Sequence, residues 1–142
     1  MKLGWGTGLI GALALGGCAS VPPPPPAPVA VACPQGQESM RMAQLFFGRK
    51  EAGDGVVSDT DFQAFVDQEV TPRFPAGLTV LDGGGQWRGP ENQLIREASK
   101  IVLIVMPGKG DRAKLDEVRQ AYKTRFHQDS VLLVTQQTCV SF

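Results

Sequence analysis

The hydrophobic pattern changes period several times along the chain, and each change marks an element. Residues 40–47 (MRMAQLFF) are a short apolar-rich run closed by Gly48, which reads as a strand. Residues 48–57 are rich in glycine and charge and read as a loop. Ser58-Asp59-Thr60-Asp61 then places an acid three residues after a serine, much like a capping box at the start of a helix. Phe62, Phe65, Val66 and Val70 follow at helical spacing, so a helix is predicted over about 59–70. Thr71-Pro72 ends it, because a residue before proline is pushed out of the α region.

The second half repeats the alternation of strand and helix. Gly77–Leu81 is a second strand, and Asp82-Gly83-Gly84-Gly85 is expected to break it, with Gln86-Trp87-Arg88 continuing beyond a bulge. A turn at 89–92 leads to a third strand over 94–106, strongest at Ile101–Met106. After a turn at 107–110, Asp111 is expected to cap a helix whose apolar face is Leu115, Val118, Tyr122 and Phe126. Ser130–Val140 is the last strand. The order β-α-β-β-α-β predicts an α+β, ferredoxin-like domain: a four-stranded antiparallel sheet with two helices on one face. Ile101–Met106 is apolar at every position, and so is Val131–Val134. Alternation therefore puts apolar side chains on the face that helices leave open, and a second copy of the domain is the expected cover, with a ligand pocket or the linker folding back as the alternative.

The first 32 residues do not belong to that pattern. Met1-Lys2 and the uncharged stretch 3–15 (LGWGTGLIGALAL) have the arrangement of an export signal, and the stretch is too short to span a membrane. Leu15-Gly16-Gly17-Cys18 resembles the lipobox of bacterial lipoproteins, in which the cysteine thiol receives a diacylglyceryl group before cleavage. Residues 1–17 are thus expected to be removed, leaving Cys18 as the attachment point, and several acyl chains anchor stably where one would not. Ala19 in place of an aspartate resembles the signal for the outer rather than the inner membrane, with the domain facing the periplasm. Residues 18–32 join lipid to domain. From residue 19 they read ASVPPPPPAPVAVA, a segment for polyproline II and a stiff stalk of roughly 40 Å, with docking to a Pro-reading partner as the alternative. The domain itself is 33–142.

Charge changes this picture little. Basic and acidic residues are 14 each, and the loss of Lys2 with the signal leaves a net charge of about −1. The absence of a basic excess argues against nucleic acid as a partner. Cysteines say more. With Cys18 lipidated, Cys33 and Cys139 remain at the two ends of the domain, and in an oxidising periplasm an even pair is best read as one disulfide. A ferredoxin-like order makes the first and last strands antiparallel neighbours, which brings these positions together independently. Two buried thiols or a metal pair are the rival readings. The single histidine, His127, and the absence of a CxxC motif weigh against metal.

Several stretches together, VSDTDFQAFVDQEVTPRFPAGLTVLD (57–82), GQWR (85–88), REASK (96–100) and the closing CVSF (139–142), resemble an uncharacterised family of small bacterial lipoproteins known as a domain of unknown function. The resemblance spans nearly all of 40–142, with EVTPRFPAGLTV its most specific part. It implies the architecture and transfers no catalytic residue.

A search for chemistry finds no nucleophile elbow, no HExxH, no Walker loop and no GxGxxG, so no cofactor and no metal are expected. His127 follows an amphipathic helix and reads as a partner of its C-terminal dipole rather than a general base. One polar set stands out as a candidate ligand site: Glu69 and Arg73 at a helix end, Asp82, Trp87 and Arg88 around the glycines, Lys100 on the third strand and Tyr122 on the second helix. Trp87 beside Arg88 could stack a planar ligand while Arg73 or Lys100 pairs an anion; the competing reading is ion pairs around a hairpin. The sequence thus points first to a non-catalytic, lipid-anchored binding module of the cell envelope. A small ferredoxin-like dimeric enzyme or ligand-processing protein using the Arg73/Trp87/Lys100 region is the alternative.

Overall fold

A computed structural model describes residues 32–51, 55–106, 108 and 110–142. The expected signal, Cys18 and the linker up to residue 31 lie outside the described residues. The elements are β1 (Glu38–Gly48), α1 (Asp59–Phe65), β2 (Thr79–Arg88), β3 (Leu94–Met106), α2 (Asp111–Arg125) and β4 (Leu132–Val140). They form one four-stranded sheet in the order β2-β3-β1-β4, with every neighbouring pair antiparallel. The domain is α+β with the ferredoxin-like β-α-β-β-α-β order.

Alternation along the strands decides what is buried. Ala43, Leu45 and Phe47 of β1 and Val102, Ile104 and Met106 of β3 are buried under the helices. They pack with Phe62, Phe65, Val66 and Val70 from the first helical segment and Leu115, Val118 and Tyr122 from α2. Phe47 is the hub, with its ring edge-on to Phe62, Phe65 and Tyr122 at centroid separations of 5.5, 5.8 and 4.7 Å. Such pairs add about 0.5–1.5 kcal/mol each beyond the area they bury.

The helix ends carry the local signals. Ser58 Oγ accepts from the Asp61 backbone N–H at 3.0 Å, as a capping serine should, and also donates to the Asp61 carboxylate at 2.6 Å. Beyond Phe65 the helix widens into a π turn over Val66–Val70, where the Thr71 N–H reaches back to the Val66 carbonyl at 2.9 Å. Val66 and Val70, four residues apart and so on one helix face, are both buried just before Pro72.

Two expectations are corrected. The glycines at 83–85 do not break β2, which pairs with β3 without interruption from Thr79 opposite Leu103 to Arg88 opposite Leu94. Cross-strand crowding accounts for one of them: a Cβ on Gly83 would lie 2.9 Å from both Ile101 Cδ1 and Ser99 Oγ. Asp111 does not cap α2 from the preceding position. It is the first helical residue, and its carboxylate turns back to accept from the Gly108 N–H at 2.9 Å and from Lys114 at 3.2 Å.

Cys33 and Cys139 are joined in a disulfide with a Cα–Cα distance of 5.5 Å. The pairing follows from register, because Ser39 opposes Cys139 on the β1–β4 ladder and the turn at Pro34–Gln37 folds Cys33 back beside it.

Candidate functional site

The polar residues singled out in the sequence fall into separate places. Arg73 is held by Glu69 at 2.8 Å and Glu117 at 3.0 Å, and the hydrogen bond it donates to Glu117 raises its pKa above the ordinary value. Lys100 points to the helix side of the sheet and bridges Asp59 at 2.7 Å and Asp82 at 2.5 Å. Hydrogen bonds to those carboxylates, Asp59 first, raise the Lys100 pKa, and the same contact with Lys100 lowers that of Asp59. Arg49 also reaches Asp59, at 3.1 Å. Arg88 closes its own turn on Asn92. These cations are engaged with protein carboxylates and carbonyls, and none of them shares a surface with Trp87.

Tyr122 is a core residue. Its hydroxyl donates to the Gly48 carbonyl at 2.8 Å and its ring has no exposed surface, so desolvation pushes the phenol pKa well above the ordinary value of 10. That bond ties the exit of β1 to α2, and Gly48 also borders a cavity on the opposite face of the sheet.

Trp87 lies on the opposite face, about half exposed, and there the structure forms a cavity of about 660 Å³. Its floor is the open face of the sheet at Phe46, Ile101 and Ser99, its one wall Trp87, and its other wall the segment His127–Leu132. The register explains the hollow. Gly85 stands between Gly83 and Trp87 on this face and opposes Glu97. A Cβ on Gly85 would meet only ordinary contacts at 3.8 Å, so the missing side chain leaves usable space.

The rim is fixed by hydrogen bonds. Glu97 accepts from the Lys50 N–H at 2.8 Å, and the Gln128 amide donates to the Lys50 carbonyl at 2.6 Å. The far wall is positioned by the end of α2. His127 has φ of 50°, and the Gln128 N–H returns to the Lys123 carbonyl at 3.1 Å, the 6→1 bond of a Schellman cap. Glycine is usual in that left-handed position; here a histidine takes it and lines the cavity. Glu51, Glu97 and Asp129 add carboxylates against the ammonium of Lys50. Among the described residues, no three His, Cys, Asp or Glu side chains stand together as a metal site.

Of the seven polar candidates read from sequence, Trp87 alone reaches this cavity. Phe46, Gly85, Glu97, Ser99 and the 127–132 segment were not among them. The available signal was a lone glutamate at 97 within an otherwise strand-like run, opposite a glycine tract, and a histidine where a helix end favours glycine.

No curated protein matches this chain. Among solved structures, a phage SAM lyase in complex with S-methyl-5′-thioadenosine is similar over 80% of this chain and 96% of its own, with 13% identity and a TM-score of 0.55. The same enzyme in its apo state gives 17% identity over 79% of this chain and 95% of its own, with a TM-score of 0.53. CutA from Synechococcus elongatus is similar over 72% of this chain and 80% of its own, at 10% identity and a TM-score of 0.49. At such identities the likeness is one of fold. The sequence itself is matched over residues 42–142 by a family profile, and the chain belongs to that family, described as Protein of unknown function (DUF3574).

Proposed function

We propose that this chain is a lipid-anchored module of the bacterial envelope that binds a small ligand in the open-face cavity, without catalysing its conversion. The observation that carries the ligand reading is the cavity itself. Its volume of about 660 Å³ lies within the range of roughly 300–1,000 Å³ typical of small-molecule sites. It pairs an apolar floor with an indole wall and a few fixed polar groups, the usual composition of such sites. Support for the anchor comes from Leu15-Gly16-Gly17-Cys18 and the proline-rich segment that follows. Under this reading the Arg73 and Lys100 clusters are structural, since each is already neutralised by two carboxylates.

The enzymatic reading draws on the fold shared with a lyase, but one fold hosts many chemistries, and the site must carry the argument. The lyase's bound S-methyl-5′-thioadenosine is nevertheless a suitable probe, because a planar purine is the kind of group an indole wall stacks.

The test uses the full chain and a thermal-shift panel of planar metabolites that includes S-methyl-5′-thioadenosine and free nucleosides. At least one compound should raise the melting temperature of the wild type and leave Gly85→Val and Trp87→Ala unshifted. A panel without a stabilising compound, or stabilisation that survives both variants, sinks the ligand reading. For the anchor, Cys18→Ser should leave the precursor unprocessed, and an unmodified mature amino terminus by mass spectrometry would refute it.

A further inference from the structure

Charge is distributed unequally between the two faces of the sheet. On the helix side, the strands carry Arg41, Asp82, Arg88, Arg96 and Lys100, placed there by alternation with the buried core positions. On the open face the only charged strand residues are Glu38 at one end and Glu97 at the other. Between them the surface carries no charge, and apart from Gln44, Thr79, Ser99, Gln136 and Thr138 it is mainly apolar. Leu81, Leu132 and Val134 are 45%, 60% and 39% exposed, and Phe46, Ile101, Leu103 and Val105 are half-buried beside them. A soluble monomer rarely leaves a continuous patch of this kind wet, and depletion of charge is the mark of an interface centre.

We infer that a second copy of this chain covers the open face and completes the cavity at its Glu97 end. Two features favour a copy over an unlike partner. First, the middle of the face is uncharged, so meeting its own image brings no like charges together, as an isologous two-fold contact requires. Second, Gln44 lies at that centre, flanked in register by Leu103 and Val134, and its amide makes no side-chain hydrogen bond among the described residues. A primary amide is both donor and acceptor, so two such groups near a two-fold axis satisfy each other. The size is adequate. Four strands about 4.8 Å apart and about 30 Å long project to roughly 600 Å². That is the same order as the accessible area of about 800 Å² per partner that a standard interface buries. The cavity opens on this surface at Phe46 and Ile101, with Trp87 and Leu132 at its edge. The second copy therefore supplies the roof that the single domain lacks.

The test is site-directed crosslinking in cells that express the full chain. With a short bismaleimide, Gln44→Cys and Val134→Cys should each give a covalent dimer, whereas Gln120→Cys, exposed on the face of α2 opposite the buried Leu115, Val118 and Tyr122, should remain monomeric. Adding Leu103→Asp to Gln44→Cys should reduce the dimer at least tenfold, with formation of the Cys33–Cys139 disulfide as the check that the domain is folded. Monomer from both face variants in folded protein overturns the inference. So does crosslinking that Leu103→Asp leaves unchanged.

Discussion

Replacing Tyr122 by phenylalanine isolates one hydrogen bond that joins the core to the cavity. The phenyl ring keeps the same place against Phe47, Phe65 and Phe126, at centroid separations of 4.7, 5.0 and 4.8 Å, so apolar burial is conserved. What is lost is the 2.8 Å bond to the Gly48 carbonyl, which spans 74 residues of sequence. Stranding a buried acceptor costs about 1–3 kcal/mol. In a domain of about this size each kcal/mol corresponds to roughly 4–8 °C in melting temperature. A second signature appears at high pH. Burial raises the folded phenol pKa above 10, so its stabilising effect is complete below about pH 10 and declines above it. There the unfolded chain releases the proton while the folded chain retains it, a loss of about 1.4 kcal/mol per pH unit. Lys100, also raised, adds its own decline above its ordinary value of 10.5, but that contribution is common to both proteins. Urea denaturation of wild type and Tyr122→Phe at neutral pH and through the alkaline range therefore separates the tyrosine term. Tyr122 is the single tyrosine, so tyrosinate absorbance follows it directly and should rise only as the domain unfolds. Equal stability and parallel alkaline profiles for the two proteins, or tyrosinate forming near pH 10 in folded wild type, would refute the reasoning.

The disulfide bridges a sequence separation of 106 residues, and the chain-entropy model gives up to about 4.7 kcal/mol for a loop of that order. Cys33→Ser and Cys139→Ser should each lose a few kcal/mol in denaturant titration, and unfolded, unreduced protein should show no free thiol from this pair. The glycine tract offers a matched comparison. Gly83→Ala places a methyl 2.9 Å from the side-chain ends of Ile101 and Ser99, which must turn aside at a cost of about 0.5–1.5 kcal/mol, whereas Gly84→Ala meets nothing within 4 Å and should be close to neutral. Similar melting temperatures for the two variants would contradict the crowding seen at Gly83.

The order of elements was legible because each segment's hydrophobic period matches its secondary structure. Phe62, Phe65 and Val70 at helical spacing, and the apolar run 101–106, leave little freedom in how the chain buries them. The Cys33–Cys139 pairing was legible for the same reason: strand order places the two ends of the domain side by side. The glycine tract misled because glycine signals both a break and a close approach, and only the cross-strand neighbours at Ser99 and Ile101 distinguish them. The polar candidates show another limit of the sequence. Residue type showed that Arg73 and Lys100 could bind an anion, but not that Glu117 and Asp59, distant in sequence, already occupy them. Trp87 and Glu97 face the same cavity as His127 only because β2, β3 and the end of α2 converge there. Local periodicity fixes which face a residue takes, since the pleat alternates along a single strand. Which residues from different elements share that face is a property of register and packing, and that the tertiary structure alone decided.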